Sequence, residues 1–182
     1  MELVLGGTFS GKSDFARERA LQASIDTVGG VMVIATALEG DPDVRRRIEA
    51  HRRQRPREWR TVEEPYQVAS TISDGIRLPT PPAAIIVECL TMLVTNLMLC
   101  DWVVRRKAAF QRVTAEVDAI ECSSSIDASE IIIVSNEVGH GLLPTTADGR
   151  LFQELAGFAN RRIAAASAVI WMISAGIPTR IK

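Results

Sequence analysis

The eight residues from Gly6 to Ser13, GGTFSGKS, satisfy the pattern G-x-x-x-x-G-K-[ST], in which each fixed residue type has a chemical task. Gly6 and Gly11 let the backbone bend, so that the N–H groups from Gly7 through Thr8, Phe9 and Ser10 point into one concavity sized for a phosphate. Lys12 reaches the β/γ-phosphates of a bound nucleotide, and the Ser13 hydroxyl can ligate Mg²⁺. The apolar run Leu3-Val4-Leu5 lies directly before the pattern. Behind it, DFARERALQAS carries Phe15, Ala16, Ala20 and Leu21 at helical spacing. A strand therefore leads into the loop and a helix N-terminus closes it, where the partial positive charge favours an anion. In that context the pattern implies a nucleoside triphosphate site. A glycine-rich turn that binds nothing is the alternative.

A second group of reactive side chains sits in residues 41 to 60, DPDVRRRIEAHRRQRPREWR, which hold eight arginines and His51, one of only two histidines. Lysine is confined to Lys12, Lys107 and Lys182, so part of the arginine excess is a general preference of this chain. Spacing alone leaves two readings open. One is a solvated basic helix, begun by Asp41 and Asp43 and stopping before Pro56. The other is a segment whose Arg45 to Arg47 and Arg52 to Arg55 clasp phosphate in planar, bidentate fashion. Like charge around an imidazole disfavours its cation, and a neutral ring is what attack on phosphorus needs.

These groups need a scaffold, and the rest of the chain supplies a repeating one. Apolar runs rich in β-branched residues occur at Leu3–Leu5, Val31–Ala35, Ala84–Val87, Ile131–Val134 and Val169–Ile173. Helical stretches fall between and after them, at roughly 12–24, 41–54, 65–77, 90–121 and 150–167. This predicts an α/β fold: a single-domain, phosphate-loop NTPase-type architecture over residues 1–182, its mostly parallel sheet flanked by helices. The run Ile177–Lys182 predicts a short antiparallel edge strand after the Gly176 turn. Ligands in such sheets bind beyond the carboxyl ends of the strands. Ala35-Thr36-Ala37, Glu88 and Asn136-Glu137 all fall there. Glu88 reads as a carboxylate that organises Mg²⁺ or contacts nucleotide, with a helix cap as the alternative.

Composition narrows the setting. A net charge of −1 argues against nucleic acid as an obligate partner. Cys89, Cys100 and Cys122 show neither C-x-x-C spacing nor paired histidines, so no disulfide framework or zinc site is expected, as suits the cytoplasm. The first strand begins at once, which leaves no room for a signal peptide. The greasy stretch AAIIVECLTMLVTNLMLCDWVV contains Glu88 and Asp101. The helical part between them is shorter than the roughly 20 apolar residues of a span, so a buried strand and a buried helix are predicted.

The chain resembles the bifunctional adenosylcobinamide kinase/adenosylcobinamide-phosphate guanylyltransferase family of cobalamin biosynthesis along essentially its full length. The resemblance rests on L-G-G-x-x-S-G-K-S at 5–13, I-A-T at 34–36 and the string R-I-x-x-H-R-x-x-R-P-x-x-W-x-T-x-E from Arg47 to Glu63. It continues through E-C-L-T at 88–91, T-N-L at 95–97, N-E-V-G-x-G at 136–141, A-G-x-x-N at 156–160 and the terminal S-A-G-I-P-x-x-I-K. It implies that His51 is the guanylylated histidine. It also implies that Gly6 to Ser13, Ala35, Thr36, Ala37, Arg52, Arg53, Gln54, Arg55, Glu63 and Glu88 contact the guanine nucleotide.

Two departures stand out. Arg161 follows Asn160 where the family usually has Gln, and Gln153-Glu154 stand where an Arg-Asp pair is usual. His140 reads as a solvent-exposed loop residue without assigned chemistry.

The implied substrates are adenosylcobinamide with GTP or ATP, the implied ion is Mg²⁺, and the implied assembly is a homotrimer. Phosphorylation of adenosylcobinamide would be followed by GMP transfer through His51 to give adenosylcobinamide-GDP. The rival readings are a phosphate-loop kinase of another small metabolite and a non-catalytic GTP-sensing module.

Overall fold

The computed structural model describes the chain except Asp26, Asp41, Trp102 and residues 125–127, and except the side chains of Asp43, Val44 and Arg47. The expected N-terminal role of Asp41 and Asp43 and part of the Arg45–Arg47 cluster therefore lie outside the described residues. The elements run β1 (Glu2–Gly6), α1 (Lys12–Ser24), β2 (Val31–Ala35), α2 (Pro42–Gln54), β3 (Arg60–Glu63), α3 (Val68–Ile76) and β4 (Ala84–Glu88). They continue with α4 (Leu90–Leu99), α5 (Arg106–Ser123), β5 (Glu130–Asn136), α6 (Ala147–Ala166), β6 (Val169–Ser174) and β7 (Ile177–Arg180).

The described strands form one seven-stranded sheet in the order β3-β2-β4-β5-β1-β6-β7. Every pairing is parallel except that of β6 with β7. The apolar runs are continuous because both faces of the sheet are covered, and alternate residues serve opposite faces. Leu3, Leu5, Met32, Ile34, Ile85, Val87, Ile131 and Ile133 pack with the helices α3 to α6. Val4, Val31, Val33, Ile86, Ile132 and Val134 pack on the other side with Ala16 and Ala20 of α1 and with Trp59.

Two expectations need correction. Residues 90–121 are not one helix: α4 ends at Leu99 and α5 begins at Arg106. A straight helix of that length would run on the order of 48 Å, far beyond what a domain of this size can cover. The chain instead turns back, and Val113 and Val117 of α5 join the same core as Val94 and Leu97 of α4. Arg112 secures the turn, its Nε donating to the Leu97 carbonyl at 2.8 Å and its Nη1 to Asp101 at 2.9 Å. The second correction is β3, which the apolar pattern did not predict. It is an edge strand of largely exposed residues, R-T-V-E, and pairs with β2 from Met32↔Arg60 to Ala35↔Glu63. An edge strand of that composition carries no apolar run to detect.

The expected antiparallel strand is present. Ala175 and Gly176, both at positive φ, form the two-residue turn between β6 and β7, as a type I′ hairpin requires. No described helix is long and apolar enough to cross a membrane.

A candidate nucleotide site at the carboxyl ends of the strands

The loop after β1 wraps around its own backbone. Ser10 N–H donates to the Gly7 carbonyl at 3.2 Å, and Gly176 N–H donates to the Ser10 carbonyl at 2.8 Å, so the β6–β7 turn braces the loop from outside. Gly11 sits at φ +91° immediately before α1, a conformation that L side chains rarely adopt. At Gly6 a Cβ would lie 2.7 Å from the Ile173 carbonyl, which is fixed in β6. Gly6→Ala is therefore expected to destabilise the fold by on the order of 1–3 kcal/mol and to weaken nucleotide binding. Thermal melting and titration with a fluorescent GTP analogue measure both, and wild-type values in both would refute the packing argument.

Lys12, only 8 % exposed, donates from Nζ to the Gly7 carbonyl at 3.0 Å. Burial pushes its ammonium below the usual lysine range, while the neighbouring Cys89 and the Glu88 carboxylate act the other way. The lysine is thus held under the loop next to where phosphate oxygens would sit.

Glu88 ends β4, one strand beyond β5 from the phosphate loop, and is paired on both sides, with Ala35 and with Val134. It is the electrostatic centre of the site. Its Oε1 lies 3.0 Å from His51 Nδ1, and its Oε2 accepts from Arg55 Nη2 at 3.0 Å. Burial alone would raise its carboxyl, but His51, Arg55 and the Ser13 hydroxyl together hold it at about 2. The charge nearest the His51 ring is therefore this carboxylate, rather than the arginines that the sequence places beside it.

A pH prediction follows from the sign of that shift. The folded value lies below the 4.5 of a free glutamate, so the stabilisation is complete above pH 4.5 and is lost as pH falls towards 2. The difference is worth about 3 kcal/mol. Urea midpoints at pH 7 and pH 3 should drop further for wild type than for Glu88→Gln. Equal drops would show that Glu88 is not held in its ionised form.

A cavity of about 430 Å³ gathers Thr8, Phe9, Ser10, Gly11, Lys12 and Ser13 with Ala35, Ala37, His51, Arg52, Gln54, Arg55, Glu63 and Glu88. Four expected contacts do not line it. Gly6 is the buried last residue of β1, and Gly7 is exposed. Arg53 is exposed and pairs with Glu49 at 3.4 Å. Thr36 is fully buried, its hydroxyl donating to the Cys89 carbonyl at 2.8 Å and accepting from Cys89 N–H at 2.7 Å. Arg52 meets Glu63 and Glu39 at the cavity's edge. A larger, shallow depression of about 640 Å³ along α5, lined by Arg106, Phe110 and Asp118 among others, contains none of the residues singled out by the sequence.

A polar network joins Asn136, which the sequence placed at the ligand end of the sheet and which lines the cavity, to Asn96 and Asn160, to which the sequence assigned no role. Asn96 Nδ2 donates to the carbonyls of Thr36 at 2.7 Å and Pro65 at 3.0 Å. Asn136 Nδ2 donates to Thr91 Oγ1, and Asn160 Nδ2 donates to the Asn136 carbonyl. Ser135 Oγ in turn donates to Asn160 Oδ1 at 2.6 Å. These bonds tie α4 and α6 to the strand ends that carry the cavity. The available signal was an asparagine inside the otherwise apolar run LTMLVTNLML.

Phosphate loop, basic helix and central carboxylate meet in one cavity, and a family model spans all three, matching residues 2–181. The chain belongs to the cobinamide kinase / cobinamide phosphate guanyltransferase family. It is 36 % identical over 182 residues to the bifunctional adenosylcobalamin biosynthesis protein of Pseudomonas aeruginosa, covering all of this chain and 96 % of that one. It is 34 % identical to proteins described in the same words from Escherichia coli and Salmonella typhimurium, covering all of this chain and 99 % of each.

Within this family the two departures also have places in the structure. Gln153 Nε2 donates to the Val138 carbonyl at 3.0 Å, and Glu154 pairs with Arg106. Arg161 is exposed, and all three residues lie on α6. His140 is exposed, as expected.

Proposed function

We propose that the protein phosphorylates adenosylcobinamide with ATP or GTP and then transfers GMP from GTP, through guanylylated His51, to give adenosylcobinamide-GDP. The observation that carries this reading is the position of His51 in the same cavity as the phosphate loop and Lys12. One nucleotide pocket thus serves both chemistries.

In the kinase step the hydroxyl oxygen of the aminopropanol arm attacks the γ-phosphorus. Its bond to the β–γ bridging oxygen breaks, and the hydroxyl proton is released. The loop N–H groups and Lys12 stabilise the charge on the transferring group. In the second reaction an imidazole nitrogen of His51 attacks the α-phosphorus and pyrophosphate leaves. The resulting phosphoramidate is then attacked by the phosphate of adenosylcobinamide phosphate, which restores the free ring. Arg55, 8 % exposed and anchored on Glu88, would meet the transferring phosphate in this reading, with Arg52 at the rim; their shared place in the cavity lining supports it.

Mg²⁺ fits the donors present. The Ser13 hydroxyl and the ionised Glu88 carboxylate are within hydrogen-bond reach of each other and would offer it hard oxygen donors, Glu88 in exchange for one of its contacts to His51 and Arg55. When bound, Mg²⁺ neutralises phosphate charge. The whole chain, 1–182, acts as one domain in this reading. We place it in the cytoplasm as a homotrimer, on family resemblance. The almost fully exposed Leu142, together with Leu143 and Ile177, supports an interface between copies.

Incubation with α-labelled GTP and Mg²⁺ tests the proposal. Acid-labile, alkali-stable label on the protein is expected. Turnover of adenosylcobinamide without any protein-bound label would leave only the kinase half.

A further inference from the structure

The His51 ring can attack phosphorus only if the attacking nitrogen carries a lone pair, and in a neutral imidazole one nitrogen does while the other carries the proton. In this fold the choice has a structural determinant. Nδ1 is buried and 3.0 Å from Oε1 of Glu88, which is 85 % buried in its side chain and whose second oxygen accepts from the 8 %-exposed Arg55. Glu88 is itself immobilised between β2 and β5. A carboxylate so placed can only accept, so it favours the proton on Nδ1 over the proton on Nε2. The ring N–H is not yet aimed squarely at the oxygen, as is common for catalytic pairs before substrate binds.

The surroundings add to the argument. Among the described residues of α2 none is fully buried, so polar contacts weigh heavily in setting the ring's direction. Such contacts lie near its C-terminal end, with Arg55 N–H bonded to the Arg52 carbonyl at 3.3 Å and its guanidinium on Glu88.

We propose that Glu88 is the positioning residue for His51: it fixes the Nδ1–H tautomer, leaving the Nε2 lone pair to attack the α-phosphorus, while Arg55 holds the carboxylate in register. This rests on His51 being the guanylylated residue. It gives Glu88 a task independent of any contact with Mg²⁺ or nucleotide. Electrons and protons balance simply. The Nε2 pair forms the N–P bond, pyrophosphate leaves with the electrons of the α–β bridge, and the Nδ1 proton stays on the ring against the carboxylate.

The test is the ring-nitrogen NMR spectrum of ¹⁵N-histidine-labelled protein, recorded without nucleotide or metal at a pH where the ring is neutral. The chain has two histidines, His51 and His140, so His140→Gln assigns both. Wild type should show His51 as the Nδ1–H tautomer. Glu88→Gln, which keeps an accepting oxygen, should retain that tautomer. Glu88→Ala should lose it, and its labelling by α-labelled GTP should fall by at least about 10²-fold, as when the orienting carboxylate of a catalytic histidine is removed. An Nε2–H tautomer in wild type overturns the proposal. So does an unchanged tautomer in Glu88→Ala, even with slow labelling, because Glu88 would then act on metal or nucleotide alone. Should Glu88→Ala not fold, the wild-type tautomer decides. Absence of acid-labile label from wild type is a different failure: it removes guanylyl transfer while leaving the tautomer measurement to stand or fall by itself.

Discussion

Lys12→Ala should abolish both phosphorylation and guanylylation while leaving the fold intact. Both reactions need a cation at the β/γ position, and the ammonium of Lys12 is the buried cation of the phosphate loop. Losing charge stabilisation that acts in the transition state costs on the order of 10²–10³-fold or more in rate. The fold should survive because, among the described residues, the side chain hydrogen-bonds to the Gly7 carbonyl alone and belongs to neither apolar cluster. Removing a desolvated ammonium even relieves a burial cost. Lys12→Arg should fail as well, since a broad guanidinium does not fit where a compact ammonium is 8 % exposed. Kinase turnover of either variant, with its melting curve as control, measures the effect. Substantial turnover by Lys12→Ala would remove the phosphate-loop assignment.

His51→Ala should instead separate the two activities. Guanylyl transfer needs a ring nitrogen, and the other histidine, His140, lies on an exposed loop after β5. Protein-bound label from α-labelled GTP should fall to background, while phosphorylation of adenosylcobinamide persists at a reduced rate. The reduction has a physical source: without the ring, Glu88 loses one of its two basic partners and α2 loses one tie to the sheet. Label that survives acid, or that persists on His51→Ala, would exclude His51 as the nucleophile and return the second half of the function to a plain kinase.

The legibility of the site varied with how local its chemistry is. GGTFSGKS was readable because every feature it needs is encoded within a few residues: a strand before, a helix after, and glycines at the turns. The buried strands were readable because a parallel sheet covered on both faces demands continuous apolar runs. β3 escaped notice because an exposed edge strand needs no such run. The break between α4 and α5 escaped because both halves show apolar helical spacing, and only the size of the core forces the chain to turn.

Among the arginines the sequence offered Arg52, Arg53 and Arg55 alike. Tertiary structure separates them: Arg53 pairs with Glu49 at the surface, whereas Arg55 is drawn onto a carboxylate 33 residues further along the chain. The asparagine network is a similar case, since a buried amide reveals its use only when the carbonyls it satisfies are placed around it. The sequence by itself determined that a triphosphate loop, a central carboxylate and an arginine-rich helix with one histidine occur together, because residue types and short spacings encode them. Only the fold decided that Glu88 faces His51 rather than simply capping a helix. That contact depends on strand order and on where α2 leaves the sheet, and a linear pattern contains neither.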